Sequence, residues 1–119
     1  MSALDRQAIL GMDDLPRVRV EVPEWGGALY VRSLTGAERD AFEATWFAGE
    51  GRGRTVNMAN LRARLVVLCA VDEDGIRLFA DDDAEALGAK SAQALDRLFD
   101  AAQKLNGFSE ADVEELAKN

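Results

Sequence analysis

The residues in this chain that could do chemistry are carboxylates, one thiol and one glycine-rich loop. Asp72, Glu73 and Asp74, with Asp81, Asp82 and Asp83 nearby, bring the oxygen ligands that a calcium ion takes. Their spacing is not that of a calcium loop, which needs ligands at alternate positions and a glutamate at the twelfth. A turn followed by an acidic helix start, stabilised by the helix dipole, is the expected role. Gly49–Thr55 (GEGRGRT) has three glycines and two arginines in seven residues. It has the glycine content of a phosphate cradle but lacks the G-x-x-x-x-G-K-S/T spacing and the strand-to-helix context. A basic loop that orders on a partner is the expected reading. Cys69 is the single cysteine and lies in an apolar run, where it reads as a small buried side chain rather than a reactive thiol. The chain has no histidine. That removes the usual neutral-pH base, the commonest metal ligand and every Ser-His or Cys-His arrangement. No catalytic, metal-binding or cofactor-binding residue is therefore predicted, and an enzyme is not expected.

The elements that carry these residues centre on 57–71 (NMANLRARLVVLCAV), the most apolar stretch of the chain. Met58, Leu61, Leu65 and Leu68 recur at helical spacing, and Val66, Val67, Cys69 and Val71 widen the stripe. A helix apolar over most of its circumference needs cover on several sides, so this is the predicted central core helix. With 119 residues the chain is expected to form one domain, 1–119. The predicted class is α+β and mainly α. About five helices surround the central one, with one or two small β-hairpins at 17–34 and 71–79.

Ser2 is the expected cap of a short first helix, with Ala3, Ile9 and Leu10 as inward candidates. Arg17–Val22 (RVRVEV) alternates strictly, with Val18, Val20 and Val22 on one face. Residues 23–27 (PEWGG) form a five-residue turn before a second strand at 28–34. Trp25 at the tip is either core cover or an exposed contact. Thr35 caps the next helix and Glu38 closes a capping box. That helix is expected to run to about Ala48, with Ala37, Ala41, Phe42, Thr45 and Trp46 inward. After the core helix, Asp74-Gly75 suits a tight hairpin turn, with Ile76, Leu78 and Phe79 as apolar anchors. A short helix at 82–87 stops at Gly88. Ser91 caps 92–106, whose stripe is Ala92, Leu95, Leu98, Phe99, Ala102 and Leu105. Asn106-Gly107 is a stop, and Ser109 caps a last helix with Val113 and Leu116 inward.

Charge is uneven. Residues 1–70 carry nine acids and nine arginines, so the whole net charge of −8 lies in residues 71–119. Such a half repels nucleic acid and anionic lipid. It serves either as a solvated face or as a docking surface for a basic partner. The longest apolar run, 65–71, is far short of the roughly 18 residues of a membrane span, and no secretory signal is expected at the start.

Three blocks in this order resemble the tail assembly chaperones of long-tailed bacteriophages and prophages. They are VEVPEWGGALYVRSLTGAERDAFE (20–43), LVVLCAVDEDGIRLFADDDAEALGAKSA (65–92) and LNGFSEADVEELAKN (105–119). The resemblance implies a mainly helical fold with a small β element, and a non-enzymatic assembly factor. Its implied partner is the tape measure protein, a long apolar helical protein that is coated before the tail tube forms. It also implies a longer form made by ribosomal frameshifting that recruits the tail tube protein. A homo-oligomer or spiral array is implied too, in the host cytoplasm and not in the mature virion. Candidate partner-binding residues on this reading are Trp25, Tyr30, Trp46, Phe47, Arg52, Arg54 and Phe108. Two other readings are open. A structural tail or head–tail connector subunit would be found in purified virions. A small acidic protein-binding adaptor would be encoded away from tail genes.

Overall fold

In a computed structural model of the chain, residues 3–48, 55–56 and 58–107 are described. Alternation in RVRVEV makes strand β1 (Arg17–Val22), which pairs antiparallel with β2 (Gly27–Arg32). The register runs from Arg17 opposite Arg32 to Val22 opposite Gly27, so the connection is the four residues Pro23–Gly26, one shorter than predicted. Pro23–Trp25 form a single 3-10 turn, and Gly26 takes φ +72° to reverse the chain. Valines on β1 share a face with Leu29 and Val31 of β2, and burial deepens toward the turn. Val18 is exposed, Val20 is half-buried and Val22 is buried.

Thr35 and Glu38 form the predicted capping box at the start of helix α2 (Gly36–Ala44). The helix ends before Trp46, and Phe47–Ala48 instead form a short strand β3 paired with β4 (Thr55–Val56). The sequence predicts this helix to about Ala48, because its apolar residues keep helical spacing. Pairing with Val56, a partner set by tertiary structure, overrides that local pattern.

Helix α3 (Leu61–Cys69) is the central element, and it is shorter than the predicted 57–71. It buries Leu61, Ala63, Leu65, Val66, Val67 and Cys69. Ala70–Val71 leave the helix to become β5, which pairs with β2 through Tyr30↔Val71 and Val31↔Ala70. The open edge of β2 competes with one more helical turn, and the β-branched Val71 favours the strand. The sheet order is β1-β2-β5. The predicted second hairpin at 71–79 reduces to one bridge, Val71↔Arg77, closed by the Asp72 to Ile76 backbone bond of 2.9 Å. Gly75 sits at φ +85° in this turn. Ile76 and Leu78 are exposed rather than anchoring, and Phe79 alone packs on the core. Arg77 covers the end of α3, donating from Nε and Nη2 to the Val67 carbonyl at 3.2 and 2.7 Å.

A 3-10 turn at Asp81–Asp83 leads into α4 (Ala84–Gly88), followed by α5 (Ala92–Leu105). Gly88 is the last helical residue of α4 and not a left-handed stop, because the backbone that follows at Ala89 stays right-handed. It answers instead to a close approach, since a Cβ there would meet the Asn60 Oδ1 atom at 2.6 Å. Ser91 caps α5 through its Oγ, as predicted. The buried stripe is Ala94, Leu95, Leu98 and Ala102; Ala92, expected inward, is exposed. This stripe packs against α3 and the valine face of the sheet, and the core lies between them.

The first helix, α1 (Arg6–Leu10), is capped by Asp5 and not Ser2: the Ala8 amide donates to Asp5 Oδ1 at 2.8 Å. It buries nothing, and Ile9 and Leu10 are exposed against expectation.

Asn106 fastens the end of α5 to the rest of the fold. Its Oδ1 accepts from the Leu34 amide at 2.7 Å, and its Nδ2 donates to the Ala102 carbonyl at 2.8 Å. Its own carbonyl accepts from Arg39 Nη1 at 3.1 Å. Asn106→Ala leaves the part-buried Leu34 amide without this acceptor. A loss of about 1–3 kcal/mol in urea unfolding is the expected result.

Candidate partner-binding surface

Helix α3 is apolar around most of its circumference, and its neighbours do not cover all of it. Leu68 is only half-buried. A groove of about 310 Å³ opens there between three elements. Helix α2 contributes Ala41, Phe42 and Thr45, helix α3 contributes Arg64, Val67 and Leu68, and the entry to α4 contributes Asp81 and Ala84. Helical spacing explains the lining, because Arg64, Val67 and Leu68 are three and four residues apart and share a face. Phe42 and Val67 form the buried floor. Ala41, Leu68 and Ala84 are the apolar atoms closer to solvent. At one end Arg64 Nη1 donates to the Thr45 carbonyl at 2.8 Å and to Thr45 Oγ1 at 2.5 Å. That closes the C-terminal turn of α2, whose last carbonyls lack helical partners.

The charged residues of the lining are Arg64 and Asp81. Asp81 pairs with Arg77 at 2.8 Å. Asp83 Oδ2 accepts the Ala80 amide at 2.8 Å. Asp40, beside Ala41, and Asp82 and Glu85, on either side of Asp83 and Ala84, are exposed. Among the described residues those three carboxylates take part in no ion pair.

The residues predicted to contact a partner fall in different places. Trp25 sits in the hairpin turn at 38% exposure, outside the core. Its neighbour Glu24 is bridged to Arg97 of α5 at 3.0 Å, which pins the turn to the helix. Tyr30 is half-buried on the sheet face away from the valines of β1, opposite Arg19 and the buried Val71. Trp46 packs on the core, edge-on to Phe42 with ring centroids 5.8 Å apart. Phe47 lies in β3, opposite Val56. Arg52, Arg54 and Phe108 lie outside the described residues, as do most of the glycine-rich loop and the predicted last helix. Among the described residues, Trp25, Tyr30 and Trp46 therefore lie in separate places: a turn, a sheet face and the core edge. It brings together a different set around Leu68, which sequence reasoning missed. The only sign of it was an apolar helix with more faces than neighbours to cover them.

Of the carboxylates that suggested calcium, Asp72 and Asp83 hold turns and Asp81 pairs with Arg77. Asp72 Oδ1 accepts the Asp74 and Ile76 amides at 2.9 and 3.0 Å. Among the described residues no cluster of three or more Asp, Glu, His or Cys is arranged to hold a metal. Burial pushes the Cys69 thiol up to about 12, against the weaker opposing effect of the Asn106 side chain. Cys69 is fully buried and has no disulfide partner among the described residues. No helix among the described residues is long and apolar enough to cross a membrane.

Comparison with solved structures finds the same fold in the bacteriophage HK97 tail assembly chaperone, with a TM-score of 0.60 at 22% identity, over 88% of this chain and 94% of that one. Comparison with curated protein sequences gives no match. A family model described as "Phage tail assembly chaperone" matches residues 6–119, nearly the whole chain. On that match the chain belongs to the phage tail assembly chaperone family and is not an enzyme.

Proposed function

We propose that this chain acts as a holdase for the tape measure protein during tail assembly. Family membership over residues 6–119 is the observation that carries this reading. A tape measure exposes long apolar helices that aggregate until the tube encloses them. A partner that covers those faces weakly and in many copies keeps them in solution and is displaced when the tube arrives. The acidic residues after 71 keep coated complexes apart by repulsion. On this reading the chain works as one unit in the cytoplasm of the host and is absent from the mature virion. A frameshifted longer form would recruit the tail tube protein, and copies would associate along the tape measure.

Co-expression with the largest helix-rich protein encoded downstream tests the reading. Recovery of that protein in solution, with many copies of this chain attached, is the expected result. If the large protein stays insoluble and the two do not co-purify, the tape measure role falls. The aromatic residues divide in the same assay. Trp46→Ala lowers the unfolding midpoint because Trp46 packs on Phe42. Trp25→Ala leaves the midpoint nearly unchanged and reduces capture.

A further inference from the structure

We propose that the free edge of β1 pairs antiparallel with β1 of a second copy of this chain, in the register that sets Arg19 opposite Glu21 and Val20 opposite Val20. The inference rests on the association of copies in the holdase reading and names the surface that joins them.

One edge of β1 is open. In the sheet order β1-β2-β5, β1 has a single strand neighbour. The Ser33 amide donates to the Pro16 carbonyl at 3.0 Å, which continues the β1–β2 register by one residue. Backbone bonds in an antiparallel ladder fall on alternate pairs. Val18, Val20 and Val22 therefore turn their N–H and C=O groups to β2, and Arg17, Arg19 and Glu21 turn theirs to the free edge. Among the described residues those three make no backbone bond on that side. Pro23 has no N–H, so it ends any pairing just beyond Val22.

The strand is complementary to itself in one register. A two-fold axis through Val20 sets each Arg19 opposite the partner's Glu21. Both residues face the edge, so the two pairs exchange backbone bonds. On the other face Val18 falls opposite Val22, and Val20 opposite itself. An axis through Val18, Arg19 or Glu21 sets like charges opposite each other, and in-register parallel pairing sets every charge beside its own kind. Arg19 and Glu21 pair with each other along the strand, and both side chains are more than half exposed, so both charges stand open to a second copy. Burial along β1 fits the same pairing. Val22 is buried and Val18 is 40% exposed. Antiparallel pairing lays the exposed end of one strand beside the buried end of the other. Six residues a side is far fewer than the roughly 20–30 of a stable interface, so the contact is weak and reversible, as a displaceable coat requires.

Sedimentation velocity on the full chain, from about 10 μM to about 1 mM, tests the proposal. Monomers in exchange with dimers are the expected result. Arg19→Glu and Glu21→Arg each set like charges opposite in the pair, and each is expected to weaken self-association about ten-fold or more. Mixing the two variants restores it, because each supplies the charge that the other lacks, and R19E/E21R restores it within one chain. Cross-linking reads the register. Val20→Cys is expected to give a disulfide-linked dimer on mild oxidation. The more exposed Val18→Cys is not, because that position faces Val22 of the second copy. The charge variants change exposed residues only, so they report on the pairing even where Val20→Cys unfolds. A chain that stays monomeric overturns the proposal. So does self-association that Arg19→Glu leaves unchanged, a mixture that associates no better than its parts, or faster cross-linking at position 18 than at 20. Co-expression separates this inference from the holdase reading. Capture of the large helix-rich protein by a chain that does not pair through β1 overturns the pairing and leaves the holdase reading standing. Pairing without capture overturns the holdase reading alone.

Discussion

Leu98→Ala is expected to lower stability by about 3–5 kcal/mol, as large-to-small changes at rigid core sites do. Leu98 has no exposed surface. It lies at the middle of α5, where the helix meets both α3 and the sheet. Its neighbours one turn away on either side, Ala94 and Ala102, are small and fully buried, so they cannot swing in to refill the space. The cavity therefore stays open, and its cost adds to the lost transfer free energy. Urea unfolding followed by far-UV circular dichroism measures the change as a lower midpoint with an unaltered slope. Ile76→Ala is the matched control. Ile76 is 64% exposed, so its loss is expected to shift stability by no more than about 0.5 kcal/mol. A small effect at Leu98 would mean that α5 is not the lid of the core.

Glu38→Ala is expected to cost about 2–4 kcal/mol, somewhat below the full cost of breaking a buried pair because the site is partly open to water. Glu38 does two jobs at once. Its Oε1 accepts the Thr35 amide at 2.9 Å, which closes the capping box of α2. Both its oxygens accept from Arg32 at 2.8 Å, a bidentate pair with side chains 11% and 20% exposed. Removing the carboxylate leaves a nearly buried guanidinium on β2 with the Ser33 carbonyl at 2.9 Å. Burial opposes the charge on Glu38, and the hydrogen bonds from Arg32 and Thr35 outweigh it, so its carboxyl titrates below the ordinary 4.5. The unfolded chain therefore takes up the proton first as pH falls. The stabilisation is complete above about pH 4.5 and is lost as pH drops through the lower folded-state value. The stability gap between the unmodified chain and Glu38→Gln, measured by urea unfolding across pH, is thus expected to be constant near neutrality and to close in acid. A gap that persists at low pH would show that the carboxylate's charge is not what holds Arg32.

Much of the architecture was legible before any coordinates. Alternation in RVRVEV and the PEWGG turn specify the hairpin, because a period of two places every valine on one face and glycine permits the reversal. The Thr35–Glu38 box and the Ser91 cap mark two helix starts, since each supplies local acceptors that helical amides need. Resemblance over residues 20–43, 65–92 and 105–119 pointed to the family that the match over 6–119 establishes.

Local grammar stops where an apolar residue has two good options. Ala70, Val71 and Phe47 suit a helix or a strand, and the partner strand chooses. Ile9 and Leu10 have the composition of core residues, yet no element of the described chain lies over them. Arg32 gave no local sign that it would be buried, because its partner Glu38 belongs to the next element.

By itself the sequence determined the hairpin, the capped helix starts, the absence of histidine chemistry and the segregation of negative charge after residue 71. Each follows from residue type and spacing within a few positions. Tertiary structure alone decided where α3 ends, which carboxylate neutralises Arg32 and that a groove exists at all. The groove is bounded by Ala41, Leu68 and Ala84, far apart along the chain. Only packing brings those positions within reach of each other, and only packing leaves Leu68 half covered.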